Sequence, residues 1–213
     1  MNATDIIQLA ADLSVGLDTP TDLDKSLYLR YLNLVHFDVY KTVGVNNPYL
    51  PIIQETVSVT EGVGKLKGSP FIIKSVNYYE SNSPKILKAT SYDVILSSDP
   101  QEKETGSPRY WYYAGQALHI YPKATQEIHV VYMPSAKAFT LDTIEEEIPY
   151  PPLYHHVLAD GICYYILQSD SGMRTKDEAK LALAKYDKGK KSLHGYLVAL
   201  GGTSSIGSTF SVV

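Results

Sequence analysis

The apolar residues of this chain change period twice. Between residues 21 and 43, Leu23, Leu27, Tyr31, Leu32, Val35, Val39 and Val43 recur at helical spacing and form one stripe. In Thr56-Val57-Ser58-Val59-Thr60 the apolar positions alternate, as in a strand with one buried face. From residue 152 the helical spacing returns and persists to residue 200. Neither a lone bundle nor a lone sheet accommodates that order. It predicts an α+β fold in which N- and C-terminal helices form an antiparallel bundle around an inserted antiparallel β-meander or barrel-like domain.

Punctuating residues place the boundaries. Thr4 caps a short helix carrying Ile6, Leu9, Ala10 and Leu13, which stops near Gly16. Thr21 opens the longer one, with Asp24 as its capping-box partner, and Gly44 ends it ahead of Pro48 and Pro51. Pro149, Pro151 and Pro152 stop the β region. A helix with Leu153, Val157, Leu158, Ile162, Tyr165 and Ile166 on its apolar face follows. A last helix starts near Thr175, and its stripe (Ala179, Ala182, Leu183, Tyr186, Leu193, Tyr196, Leu197, Leu200) suits antiparallel packing on its predecessor. Gly201-Gly202 end it. The division is 1–50 with 150–200 as helical domain, 51–149 as β-rich insertion and 201–213 as a flexible tail.

Within the insertion, Gly62, Gly64, Gly68 and Pro70 mark a turn before a strand at 71–76. Residues 85–97 suit a short helix, and 98–108 a loop. The stretch SPRYWYYAGQALHIYP (107–122) gives a strand to Tyr113, a turn at Ala114-Gly115 and a strand Ala117–Tyr121, with Gln126–Met133 as the meander's third strand. Strand alternation sends Tyr110 and Tyr112 to one side, Trp111 and Tyr113 to the other. A nucleic-acid platform needs aromatics on one open face among cations, and only Arg109 is adjacent here. Two occupied faces favour one turned inward and one toward a neighbouring element or subunit. Tyr110, Trp111, Tyr112 and Tyr113 are therefore the candidate interface. The alternative is a carbohydrate- or nucleic-acid-binding module built on the same strand.

Composition narrows function rather than fold. With 44% hydrophobic and 20% charged residues the chain reads as a soluble globular protein. No apolar run approaches the ~20 residues of a membrane helix, and MNATDIIQLAADL lacks a signal peptide's basic start and long apolar stretch. The 18 tyrosines suit half-buried contact surfaces with one wet end. Net charge is −4 and the only arginines are Arg30, Arg109 and Arg174, whereas a sequence-specific DNA binder is usually basic. Cys163 stands alone, so no intrachain disulfide forms, and a reducing site of synthesis fits.

No catalytic or cofactor constellation emerges. His156 and Asp160 share a helix face beside His155, but no third ligand is implied and no HExxH occurs. EGVGKLKG (61–68) has the wrong spacing for a phosphate loop and reads as a hairpin turn. Glu145, Glu146 and Glu147 read as a solvated acidic turn, Cys163 as a small buried residue, and GGTSSIGS lacks the GxSxG spacing. No metal or cofactor is expected.

The order of elements in 107–139 resembles a segment of the head-to-tail adaptors of tailed bacteriophages, the tail tubular protein A type and related ring proteins. The residues carrying it are Pro108, Tyr110, Tyr112, Gly115, Leu118, Tyr121, Pro122 and Tyr132. A proline-led helix like 151–167 and a Lys/Ala-rich last helix like 175–200 extend it, as does the helix at 21–43. The resemblance implies a non-enzymatic virion protein of the neck or tail, assembled in the host cytoplasm. It implies a homo-oligomeric ring, commonly of twelve subunits, between the portal protein and a tail or second ring protein. Helices would build the ring, and the aromatic strand would meet a neighbour or the tail. DNA would pass through without sequence-specific binding, and a mildly acidic, arginine-poor chain would not hold it. The C-terminal tail would grip the portal through Ile206, Phe210, Val212 and Val213.

Overall fold

A computed structural model describes residues 1–15, 22–81, 83–169 and 173–202. The chain is α+β and divides into two units, 1–50 with the residues from 136 on, and 51–135.

Five α-helices lie among the described residues. In the first unit they are α1 (Ala3–Val15), α2 (Asp22–Val43), α4 (His155–Ser169) and α5 (Met173–Gly202). Gly44 ends α2 as its sequence predicts, passing into a 3-10 turn at Gly44–Asn46. The start of α1 differs from expectation. Its cap is Asn2, whose side chain accepts the Asp5 amide at 2.9 Å while the Asp5 carboxylate accepts the Asn2 amide at 2.9 Å. Thr4 is the second residue of the helix, within its first turn. Thr21 and Gly16 fall outside the described residues.

The helical core runs from Ala3, Ile6 and Ala10 of α1 through Leu32, Val35 and Val39 of α2 to Leu158 and Ile162 of α4 and Leu193 and Leu197 of α5. Helix α4 packs on α1, α2 and α5. Two glycines set how close it comes. A methyl on Gly161 would stand 2.7 Å from a Val35 methyl and 3.0 Å from the Tyr186 ring, and one on Gly189 would stand 2.8 Å from Val157. Residues 136–149 go with the helices, because Phe139 and Ile148 are buried in their core and Asn33 binds the Phe139 backbone through both its amide atoms.

The second unit is not a closed barrel. It holds two four-stranded sheets, named from β1 (Ile53–Val59), β2 (Val63–Gly64), β3 (Pro70–Glu80), β4 (Ser83–Ile86), β5 (Lys88–Ala89), β6 (Tyr110–Ala114), β7 (Ala117–Tyr121) and β8 (Gln126–Pro134). The orders are β1-β8-β3-β4 and β2-β7-β6-β5, antiparallel except for the β5–β6 pair. Helix α3 (Tyr92–Ser98) follows β5, so the expected helix over 85–97 is shorter and is preceded by two short strands. The hairpin β6–β7 turns at Gly115 and Gln116, both at positive φ (58° and 63°), as a two-residue reversal requires.

The three consecutive strands do not form a meander in one sheet. β8 leaves the hairpin and pairs with β1 and β3 instead. Pro122 offers no N–H to continue the ladder. The inward row Ile128, Val130 and Tyr132 then fills the space between Val57 on one side and Val76 on the other. Both sheets share that core, to which β7 adds Leu118 and Ile120.

Candidate interaction surface

The aromatic strand β6 is split as alternation requires. Trp111 and Tyr113, opposite Ile120 and Leu118, pack against the core between the sheets. Tyr112 turns outward. It stacks on its cross-strand partner His119 at 4.6 Å between centroids and meets Tyr92 of α3 at 5.6 Å. A neighbouring element of the same chain thus covers part of the second face, and Tyr110 stays 39% exposed.

Helix α3 and the loop after it are held over this face by one buried apolar residue and by part-buried polar anchors. Ile95 is buried beneath α3, and the Tyr121 hydroxyl donates to Asp99 at 2.8 Å and to Glu104 at 3.1 Å. The Glu104 amide and the Tyr121 hydroxyl hold the Asp99 carboxyl below its usual range. Burial, then those two carboxylates, push the Tyr121 phenol up. Between these parts lies a groove of about 370 Å³ lined by Tyr92, Tyr112, His119, Glu61, Glu102 and Lys123. Glu102 pairs with Lys123 at 3.4 Å, and its hydrogen bond with Tyr92 raises that phenol. The groove combines aromatic rings with both signs of charge.

In the helical unit, the outer surfaces keep large apolar residues in view: Leu27, Leu34 and Phe37 on α2, Leu181 and Val198 on α5, and Leu141 in the segment before α4. An ion pair braces α2 on α5, with Asp38 accepting Lys190 at 2.7 Å and the Tyr186 hydroxyl at 2.6 Å. Burial opposes the charge on Asp38, but Lys190 and Tyr186 outweigh it and lower its pKa.

The residues considered for chemistry stand apart. His155 is buried with Nε2 2.8 Å from the Tyr150 carbonyl oxygen, while His156 is exposed with Nδ1 3.0 Å from that of Leu153. Burial raises the carboxyl of Asp160, against the pull of His156. Cys163 is buried and its thiol is pushed up, first by burial. Among the described residues no three His, Cys, Asp or Glu side chains are placed to hold a metal ion. Nor is any described helix long and apolar enough to cross a membrane. Glu145, read as solvated, has a structural role: its carboxylate takes the Asn2 amide group and the Thr4 hydroxyl. The spacing gave no sign of that, since the partners are 143 and 141 residues away. Ile206, Phe210, Val212 and Val213 lie outside the described residues.

The family model of the SU10 adaptor protein matches residues 1–204, through both units and to the end of α5. The chain belongs to the SU10 adaptor protein family. The membership agrees with the resemblance to phage head-to-tail adaptors and marks this SU10 adaptor as a structural virion component. No curated protein matches the chain. The match stops short of Ile206, so the four apolar tail residues of this adaptor lie beyond it.

Proposed function

We propose that this SU10 adaptor assembles a ring, commonly of twelve subunits, between portal and tail and leaves a passage for DNA. The observation that carries the reading is a family match spanning both the helical and the β unit. Helices form the ring body, and the strand at Tyr110–Tyr113 meets a neighbour or the tail. Weak contacts repeated around a ring sum to a tight joint. The 203–213 tail, with Ile206, Phe210, Val212 and Val213, grips the portal. Co-sedimentation with portal rings tests this. Deleting 203–213 is expected to leave the far-ultraviolet circular dichroism unchanged and abolish co-sedimentation. Undiminished co-sedimentation of the truncated protein removes the tail from the contact.

The groove at Tyr92, Tyr112 and His119 favours a second reading, a carbohydrate-binding module. Glu61 and Glu102 on its wall oppose the nucleic-acid form of that reading. Titration with neutral oligosaccharides and oligonucleotides separates the two: saturable glycan binding lost in Tyr112→Ala favours the module, and its absence favours the adaptor.

A further inference from the structure

We propose that subunits of this protein meet head to tail through opposite charges, the outward lysine face of α5 in one copy seating on the acidic 141–147 segment of the next. This rests on the ring reading and names the surfaces that would make the ring.

Helix α5 carries Lys176, Lys180, Lys185, Lys188, Lys190 and Lys191. Lys190 is spent inside the subunit on Asp38. Lys188 and Lys191 are exposed and form no ion pair among the described residues, and they share the outward row Leu181, Ala184, Lys188, Lys191, Gly195, Val198. That row steps by three and four residues, the spacing of a helix seam that faces a partner. Leu181 is 59% exposed on it, an apolar side chain outside the buried cores of the described residues.

The complementary surface is the segment before α4. Leu141 is 64% exposed there, and Asp142 and Glu146 are exposed without an ion pair among the described residues. The segment is tied to the start of α1. The Ile144 carbonyl accepts the Ala3 and Thr4 amides at 3.1 and 3.4 Å, and Glu145 clamps Asn2 and Thr4. One patch is therefore apolar with anions and the other apolar with cations.

Their placement also fits. Within the helical unit α4 packs on both α1 and α5; the acidic segment sits on α1, and the lysine row is on α5. They are two different surfaces of the unit. A self-complementary dimer reuses one patch, whereas two different patches make a heterologous contact, which closes into a ring when the rotation allows. Charge pairing across such a contact also rejects wrong registers.

The test uses the full chain, with ring formation on portal read by negative-stain microscopy and by mass photometry. Lys188→Glu with Lys191→Glu, and separately Asp142→Lys with Glu146→Lys, are each expected to weaken self-association about tenfold or more without changing circular dichroism. Mixing the two double variants is expected to restore rings of alternating subunits, because each reversed lysine row then meets a reversed acidic segment and each native row a native segment, while neither variant alone can pair with itself. The fourfold variant carrying both reversals is accordingly expected to form rings again. Rings from either double variant as abundant as from wild type overturn the charge contact while leaving the ring reading intact. Loss of rings in both double variants with no recovery in the fourfold variant also overturns it, since the patches then do not face each other. A wild-type chain that never self-associates, with or without portal, overturns both readings together.

Discussion

Single residues set the close approach of the helices and the response of the fold to acid. Gly161 is costly in a helix by about 1 kcal/mol relative to alanine. It persists where Val35, with its stiff branched side chain, leaves no room for a methyl. Gly161→Ala is therefore expected to destabilise by about 1–3 kcal/mol rather than stabilise. In a double-mutant cycle by urea unfolding, Val35→Ala should recover part of that loss; additive losses would mean the methyl clashes elsewhere. His36 is a second case. Its ring lies among Phe37, Tyr40, Phe139 and Tyr150, with Nδ1 3.1 Å from the Tyr150 hydroxyl. Burial lowers its pKa from 6.5 to about 4, against a hydrogen bond with the Lys137 backbone. The folded state thus favours neutral His36, and its contribution is complete above pH 6.5. As pH falls toward 4 the unfolded chain takes up the proton first, and about 3 kcal/mol is lost. His155, lowered chiefly by burial, acts in the same direction. Relative to His36→Leu, wild type should lose unfolding free energy steadily from pH 6.5 to 4; parallel profiles would assign the acid limb to other groups.

Elements depend on contacts that local pattern does not reveal. The N-terminus of α1 is tied by Glu145, which accepts both Asn2 and Thr4 side chains. Glu145→Ala is expected to cost about 1 kcal/mol, since the bonds are charge-assisted but exposed. The sharper readout is hydrogen exchange: the Ala3 and Thr4 amides, which bond the Ile144 carbonyl, should exchange faster while amides in α4 do not change. Uniform exchange across both helices would contradict a local clamp. This contact also marks where sequence reasoning ends. Period and turn residues reveal the long helices and the alternating strands, because burial of one face writes itself into spacing. They do not reveal a strand's neighbour. The inward residues of β8 fit either sheet by pattern, and only packing against Val57 and Val76 decides. Strand β4 is exposed throughout, so it carries no alternation to read. The two faces of Tyr110–Tyr113 were legible, but the groove beside Tyr112 was not, since α3 and the 99–104 loop reach it through tertiary contacts of Ile95 and Asp99.

At the scale of the whole molecule, the insertion has the wiring of a module. The chain enters it by β1 and leaves by β8, and these are neighbouring strands, with Ile53 opposite Tyr132. Its two ends are therefore side by side, and its core draws only on residues between Ile53 and Tyr132. A unit with adjacent ends and its own core is one that folds alone. Residues 51–135 expressed by themselves should unfold in one cooperative step and keep the Trp111 emission of the full chain, since Trp111 packs on that core. The complementary protein, with Leu50 joined to Ala136 by a short Gly/Ser linker, keeps α1, α2, α4 and α5 together with both charged patches. If the lysine row and the acidic segment make the ring, this linked helical unit self-associates in a salt-sensitive way while the excised β unit stays monomeric. Analytical ultracentrifugation at low and high salt reads both at once. A monomeric helical unit beside a self-associating β unit would move the subunit contact to the sheets.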